Sequence, residues 1–347
     1  MAPDPNMASR MSGMLLAMTM GEPAGVGPEL SLDAWIRLRE SGPPFVLFSD
    51  PDLMADIARS VGRDVSIAVV ESGVEAISRF RTALPMIPVK LGKSVQPGRP
   101  DPANASAVIQ SIEFAVAAAK RGEVGAVITN PIQKASLYAA GFRHPGHTEF
   151  LGEIAGTGVV PVMMLVSPDL RVVPVTIHVA LREALAILNA DTIVETSQVV
   201  VNALRRDFGI EAPRIAIAGV NPHAGEGGAM GDEDNRIVAP AVERLRKAGL
   251  AVAGPMPPDT LFTARARRNY DAAICMYHDQ ALIPIKTLDV DGGVNVTLGL
   301  SIVRTSPDHG TALDIAGKGI ADPGSLVAAI RMAEMIARNR SKESQDA

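Results

Sequence analysis

Three short runs of branched aliphatic residues each lead to a histidine, and this constrains the fold more than any other feature of the chain. Arg171 to Ile177 precedes His178, Arg214 to Val220 precedes Asn221, Pro222 and His223, and Ala272 to Met276 ends just before His278. Each run has the length of a buried strand. Strands of one parallel sheet end along one crevice, and α/β sheets bind ligands at the C-terminal ends of their strands. The three imidazoles are therefore expected to converge.

The rest of the chain agrees with an α/β class. Aromatic residues make up only 3% while 31 Gly and 26 Pro punctuate runs rich in Ala, Val and Ile, the habit of alternating strands and helices. With 347 residues and 47% hydrophobic content, the chain suits two domains with sizeable cores. The net charge of −5 is spread over interspersed residues, leaving no basic face for nucleic acid and no polybasic run for a membrane. An anionic substrate would have to be held by local cations.

The single cysteine, Cys275, lies inside an apolar run and reads as a small buried hydrophobe, which leaves no disulfide framework and no cysteine metal site. Residues 1–13 carry Met and Pro without periodicity and are expected to form a disordered tail. Leu15 to Met20 is too short for a signal segment, and other apolar stretches break before a membrane span is reached, so a cytoplasmic protein is expected.

Leu15 to Thr19 should form a first strand that turns through "MGEPAGVGPEL" into a helix containing Trp35 and Leu38. A second helix should be capped by Asn104, bury Ala107, Val108, Ile112, Ala115, Val116 and Ala119, and stop at Gly122. A third should be capped by Asp191, with Ile193, Val194, Val200, Val201 and Leu204 on its apolar face. The expected organisation is discontinuous: residues 14–140 with 305–347 in one α/β domain, and 141–304 in a second carrying the metal site and a dimer interface.

Chemistry concentrates between Tyr270 and Gly319, where His278, Lys286, Asn295, Arg304, Asp308, His309 and Asp314 lie close in sequence. Three neutral histidines leave an open position on a divalent ion, which can then polarise an alcohol or carbonyl oxygen. The bland alternative is that each histidine caps its strand, but their shared placement favours a metal triad. Lys286, Asn295 and Arg304 offer two cations and an amide suited to phosphate and carboxylate oxygens, against the alternative of solvated surface charge. His147 and Thr148 lie where a loop enters a helix, where Thr148 could be only a cap. Neither the turn at Gly21, Gly25 and Gly27 nor the loop "DHGTALDIAGKG" has Rossmann or Walker spacing, although Gly310, Gly317 and Gly319 would let the loop's backbone approach a nucleotide.

Seven segments in order, "MGEPAGVGPEL", "ITNPIQKASLYAAGFRHPGHTEFL", "LRVVPVTIHVALREA", "NPHAGEGGAMGDED", "GPMPPDTLF", "MYHDQALIPIK" and "VNVTLGLSIVRTSPDHGTALDIAGKG", resemble the 4-hydroxythreonine-4-phosphate dehydrogenase family of pyridoxal phosphate synthesis. The resemblance runs from about Leu15 to Leu326. It implies an isocitrate/isopropylmalate dehydrogenase-like fold of two α/β domains with the cleft between them, and a homodimer with shared sites. It also implies metal ligands at His178, His223 and His278, with His278 supplied by the partner. Substrate contacts fall on His147, Thr148, Lys286, Asn295 and Arg304, with Lys286 and His147 as catalytic groups. Asp308, His309, Gly310, Asp314 and Gly317 fall on the nicotinamide-nucleotide loop.

The implied reaction uses NAD or NADP and one zinc, magnesium or cobalt ion. It oxidises 4-phosphooxy-L-threonine at C3 and decarboxylates the product to 3-amino-2-oxopropyl phosphate. Glu22, Ala281, Ser301 and Pro307 depart from the residues usual in the family, leaving room for a dehydrogenase of phosphorylated sugar acids such as 4-phospho-D-erythronate or D-threonate. A phosphate acyltransferase of the same architecture is a remoter alternative that the histidine triad disfavours, and a non-enzymatic metal-binding protein is a distant third.

Overall fold

The computed structural model describes residues 15–143, 147–156, 160–289 and 292–346, the side chains of 147–149 and 344–346 excepted. The expected N-terminal tail lies outside the described residues. The chain forms two compact units, the first built from Met1–Pro161 with Leu300–Ala347 and the second from Val162–Gly299. The chain thus leaves its first unit at 161 rather than near 140: Phe150, Leu151 and Ala155 of the helix His147–Ala155 pack into the first unit's core. It returns at 300.

The first unit begins with strands β1 (Leu16–Thr19), β2 (Phe45–Ser49), β3 (Ile67–Val69), β4 (Leu84–Pro88) and β5 (Ala126–Ile128). The second contains β6 (Val162–Ser167), β7 (Leu170–Pro174), β8 (Arg214–Ala218), β9 (Ala251–Met256), β10 (Ala272–Cys275) and β11 (Val294–Leu298). The last strand, β12 (Arg304–Pro307), belongs to the first unit again.

In the first unit the strands lie in the order β3-β4-β2-β1-β5-β12, every neighbouring pair parallel. Helices cover such a sheet on both faces, so its central strands are apolar throughout rather than alternating. All of β1 and β2 is buried, as that rule requires. Trp35, in the helix Gly27–Leu38, is fully buried and donates its indole N–H to the carbonyl of Phe80 at 2.8 Å. The helix Ala105–Lys120 buries the expected residues apart from the half-buried Ala119. Asn104 precedes it but does not cap it, because its side-chain oxygen accepts the Lys93 N–H at 2.9 Å.

The second unit is mixed, with the order β11-β6-β7-β10-β8-β9. β6 is antiparallel to both β11 and β7, while β7, β10, β8 and β9 run parallel. The helix Ala190–Arg206 buries the predicted apolar face. Its cap is Asn189, which accepts the Thr192 N–H at 2.9 Å, whereas Asp191 lies in the first turn and pairs with Arg244. Cys275 is buried in this unit's core, and burial pushes its thiol pKa upward. Among the described residues no single helix is long and apolar enough to cross a membrane.

Candidate active site

Within the second unit, β7, β10 and β8 are neighbours in that order, so the stretches after their C-terminal ends share one edge of the sheet. Cys275 aligns with Pro174 and Ile274 with Ile217 across the two pairings. Side-chain bonds then stitch the chain beyond the strands. Thr176 donates its hydroxyl to the Met276 carbonyl at 2.8 Å. Gln280 accepts the Met276 N–H at 2.7 Å and donates to the Gly219 carbonyl at the same distance, joining the ends of β10 and β8. Both side chains are buried, where an unpaired polar group would be costly.

This frame brings His178 and His278 together, with ring centroids 5.8 Å apart. They line a cavity of about 270 Å³ with Thr176, Ile177, Tyr277 and Asp279. His278 is the first residue of the helix His278–Leu288, and its Nδ1 hydrogen-bonds Asp279 Oδ1 at 2.8 Å. A carboxylate only accepts, so Nδ1 donates in this bond and Nε2 is the ring nitrogen left for a ligand, as in metal-ligating histidines oriented by a carboxylate. Adjacent parallel strands put these two rings side by side within one chain.

His223 follows β8 on an exposed loop whose backbone has an unusual path. His223 to Gly227 all have positive φ, from 41° to 77°, including the non-glycine residues His223, Ala224 and Glu226. Such a run persists only where its surroundings fix it. Asp234 supplies one restraint, accepting the N–H groups of Val220 and Asn221 at 2.8 and 3.0 Å, and Asn221 donates to Glu233 at 2.8 Å. Among the described residues no three His, Cys, Asp or Glu side chains form a group able to hold a metal ion. The chemistry of the His178–His278 pair fits two positions of a three-histidine site, and His223 does not complete it within one chain.

Two further candidates lie in the same unit. Asn295 is on β11 opposite Leu165, and its Oδ1 is buried without a hydrogen-bond partner. Lys286 is exposed on the helix that begins at His278.

The first unit carries the remaining candidates. Arg304 opens β12, is 4% exposed, and donates Nε–H and Nη2–H to Thr129 Oγ1 at 3.1 and 2.7 Å. Burial pushes its pKa down to about 10, which still leaves it a cation near neutrality. Asn130, next to Thr129, donates to the Thr19 carbonyl and to Ser31 Oγ, both at 3.0 Å, while its Oδ1 is buried without a partner. The side chains of His147 and Thr148 lie outside the described residues.

After β12 the chain enters the glycine loop, where Asp308 and His309 are half-buried and Gly310 and Asp314 exposed. His309 Nδ1 contacts the Gly310 carbonyl at 2.9 Å, and its Nε2 is buried without a partner. The loop interlocks with the turn after β1: Val26 N–H donates to the Thr311 carbonyl at 3.0 Å, and a Cβ at Gly25 would meet that oxygen at 2.9 Å. Gly317 has φ 74°, and a Cβ there would lie 2.7 Å from Pro97. Both positions need glycine for close approach. Glu29 closes the far end by accepting the N–H groups of Gly317 and Gly319 at 3.1 and 3.2 Å.

Thr129, Asn130, Thr176, Gln280 and Glu29 escaped the sequence reading. The only local hint was Gln280 two residues after His278; the others act across the chain.

The chain matches the family described as "Pyridoxal phosphate biosynthetic protein PdxA" over residues 41–333. It is 52% identical to the 4-hydroxythreonine-4-phosphate dehydrogenase of Bradyrhizobium diazoefficiens, covering 93% of this chain and 96% of that one. The enzyme of the same name from Caulobacter vibrioides is 51% identical over 95% of this chain and 99% of its own. The crystal structure of the Klebsiella pneumoniae 4-hydroxythreonine-4-phosphate dehydrogenase superimposes with a TM-score of 0.83 at 38% identity, covering 93% of this chain and 99% of that one. On this near-full-length likeness in sequence and fold, the chain belongs to the PdxA family of pyridoxal phosphate biosynthetic proteins.

Proposed function

We propose that this protein oxidises 4-phosphooxy-L-threonine at C3 with NAD or NADP and decarboxylates the resulting β-keto acid to 3-amino-2-oxopropyl phosphate. The observation that carries this reading is the His178–His278 pair, held at adjoining strand ends by Thr176 and Gln280 and oriented by Asp279. Family membership supplies the reaction class, and the full-length relatives carry the substrate in their names.

In this reading Arg304, Lys286 and Asn295, with His147 and Thr148, bind the substrate's phosphate and carboxylate. Arg304 suits an oxyanion because a buried guanidinium held by Thr129 is already desolvated and aimed. Lys286 and His147 are the proposed proton-transfer groups. C3 gives its hydrogen as hydride to the nicotinamide, and its hydroxyl proton passes to a base. The bond to the carboxylate then breaks, carbon dioxide leaves, and the electron pair left on carbon is quenched by a proton returned from an acid.

A divalent ion held by His178, His223 and His278, zinc, magnesium or cobalt, would polarise the C3 oxygen and favour both steps. His178 and His278 come from one chain. We infer that His223 reaches the site from a second copy in a homodimer with shared sites, since one chain does not bring all three together. Asp308, His309, Gly310, Asp314 and Gly317 would bind the dinucleotide.

The test incubates metal-loaded protein with NAD or NADP and either 4-phosphooxy-L-threonine or 4-phospho-D-erythronate, following reduced nicotinamide and carbon dioxide. The threonine phosphate should yield both products in equal amounts. Faster turnover of the erythronate would transfer the assignment to a sugar-acid dehydrogenase.

A further inference from the structure

Glu29 is a carboxylate in an unusual place. It lies in the first turn of the helix Gly27–Leu38, is 2% exposed, and has no ion-pair partner within 4 Å among the described residues. Burying such a group is unfavourable unless something holds it. What holds it is backbone: Oε2 accepts the N–H groups of both Gly317 and Gly319. Oε1 is buried with no hydrogen-bond partner. One acceptor atom is therefore committed to two peptides of the glycine loop, and that loop lies 288 residues away in the chain.

The loop is gripped from the other side as well. Arg63 donates to the Gly319 carbonyl at 3.2 Å and is itself fixed by a two-pronged pair with Asp33 at 2.6 and 3.1 Å. The peptides around Gly319 thus have N–H and C=O held by different helices and turns. Pro97 stands against Gly317 where a side chain would otherwise be, leaving little room for displacement.

We propose that Glu29 is a positioning residue for dinucleotide binding, setting the glycine loop through Gly317 and Gly319 so that its half-buried N-terminal half, with Gly310 exposed, meets the nucleotide preformed. This rests on reading residues 308–317 as the nicotinamide-nucleotide loop. A preformed loop binds without the ordering cost that a slack one would incur. The reach of the side chain matters more than its charge, because the two N–H groups need only an acceptor at the right place.

Two substitutions separate reach from charge. Glu29→Gln keeps an acceptor at the same distance and removes the charge, while Glu29→Asp keeps the charge and withdraws the acceptor by one methylene. NADH binding is followed by its own fluorescence, and KM is measured separately for dinucleotide and phosphorylated substrate. Glu29→Asp should weaken NADH binding about tenfold, the loss expected from two weakened hydrogen bonds, and Glu29→Gln no more than about threefold. KM for the phosphorylated substrate should stay within about threefold of wild type in both.

NADH binding by Glu29→Asp as tight as wild type would overturn the proposal. So would equal loosening by both variants, or a rise in KM for the phosphorylated substrate that matches the rise for dinucleotide, either of which marks a general structural lesion. If wild-type protein takes up neither NADH nor NADPH, the reading of the loop itself is wrong and the inference falls with it.

Discussion

The two units hold their functional groups in opposite ways. In the all-parallel first unit the key polar groups are buried and held by the chain itself: Arg304 by Thr129, Glu29 by two glycine peptides. In the mixed second unit His178, His223 and Lys286 are exposed, and the buried side chains Thr176 and Gln280 organise the backbone beneath them. Groups that grip a fixed anion or dinucleotide profit from a rigid, desolvated mount, while groups that take a metal ion or move protons must remain accessible. Substitutions in the first unit should therefore disturb stability and binding together, and those in the second should remove activity with little effect on folding.

The sharpest test of this contrast is His178→Ala or His278→Ala. Turnover should fall on the order of a thousandfold or more, since several kcal/mol of transition-state stabilisation depend on the ion they would hold. Urea unfolding should shift little, because a strand-end ligand leaves no cavity in a core. Variants that keep wild-type turnover and metal content would make the pair structural and dissolve the contrast.

Arg304→Lys probes the other side. One ammonium cannot reproduce two guanidinium donors on Thr129 together with a forked grip on an oxyanion, so KM for the phosphorylated substrate should rise about tenfold while that for dinucleotide stays near wild type. Its companion, Thr129→Val, removes the acceptor beneath a buried cation and should cost roughly 1–3 kcal/mol in urea unfolding. A stability change no greater than that of His178→Ala would break the comparison.

Mixing inactive variants asks which chain supplies which histidine. Refolded mixtures of His178→Ala with His223→Ala should recover activity in about one site in four by random pairing, because one arrangement gathers both lesions into a single site. Mixtures of His178→Ala with His278→Ala should recover none. The reverse pattern would show that the neighbouring rings of one chain serve different sites.

The smallest expected effect concerns acidity. Burial raises the pKa of Glu22 and of Glu29 above the ordinary 4.5, with backbone N–H groups offsetting part of the rise. The folded chain then binds these protons more tightly than the unfolded chain. The stability they contribute is complete below the unfolded value and is lost as pH rises through the folded ones. Glu22→Gln should flatten that decline in melting temperature as pH rises above 4.5; an unchanged slope would place the proton uptake elsewhere.

Much of the strand layout was legible because buried parallel strands are short unbroken apolar runs, and three of them ended at histidines. Cys275 was legible for the same reason. The caps were less so: Asn104 and Asn189 are equally good cap residues by type, and only the competing N–H of Lys93 decides that Asn104 does not serve. The residues that shape the site were invisible because their partners are remote in sequence, with Thr129 175 residues from Arg304 and Gln280 61 from Gly219. The left-handed path at His223 has glycines to suggest it, yet Ala224 and Glu226 share the conformation without any local signal.

The separation of Thr129 from Arg304 also has a temporal meaning. β12 pairs with β5, but the whole second unit is translated between them. At roughly 5–20 residues per second, a separation of 175 residues corresponds to about 9 to 35 seconds of synthesis. During that interval the nascent first unit has one flank of its sheet unfilled, and the second unit's last strand, β11, emerges only just before Arg304. Arg304 is thus delivered late, onto a threonine and a strand synthesised long before, and its buried grip on Thr129 is a contact the chain acquires only near the end of its manufacture.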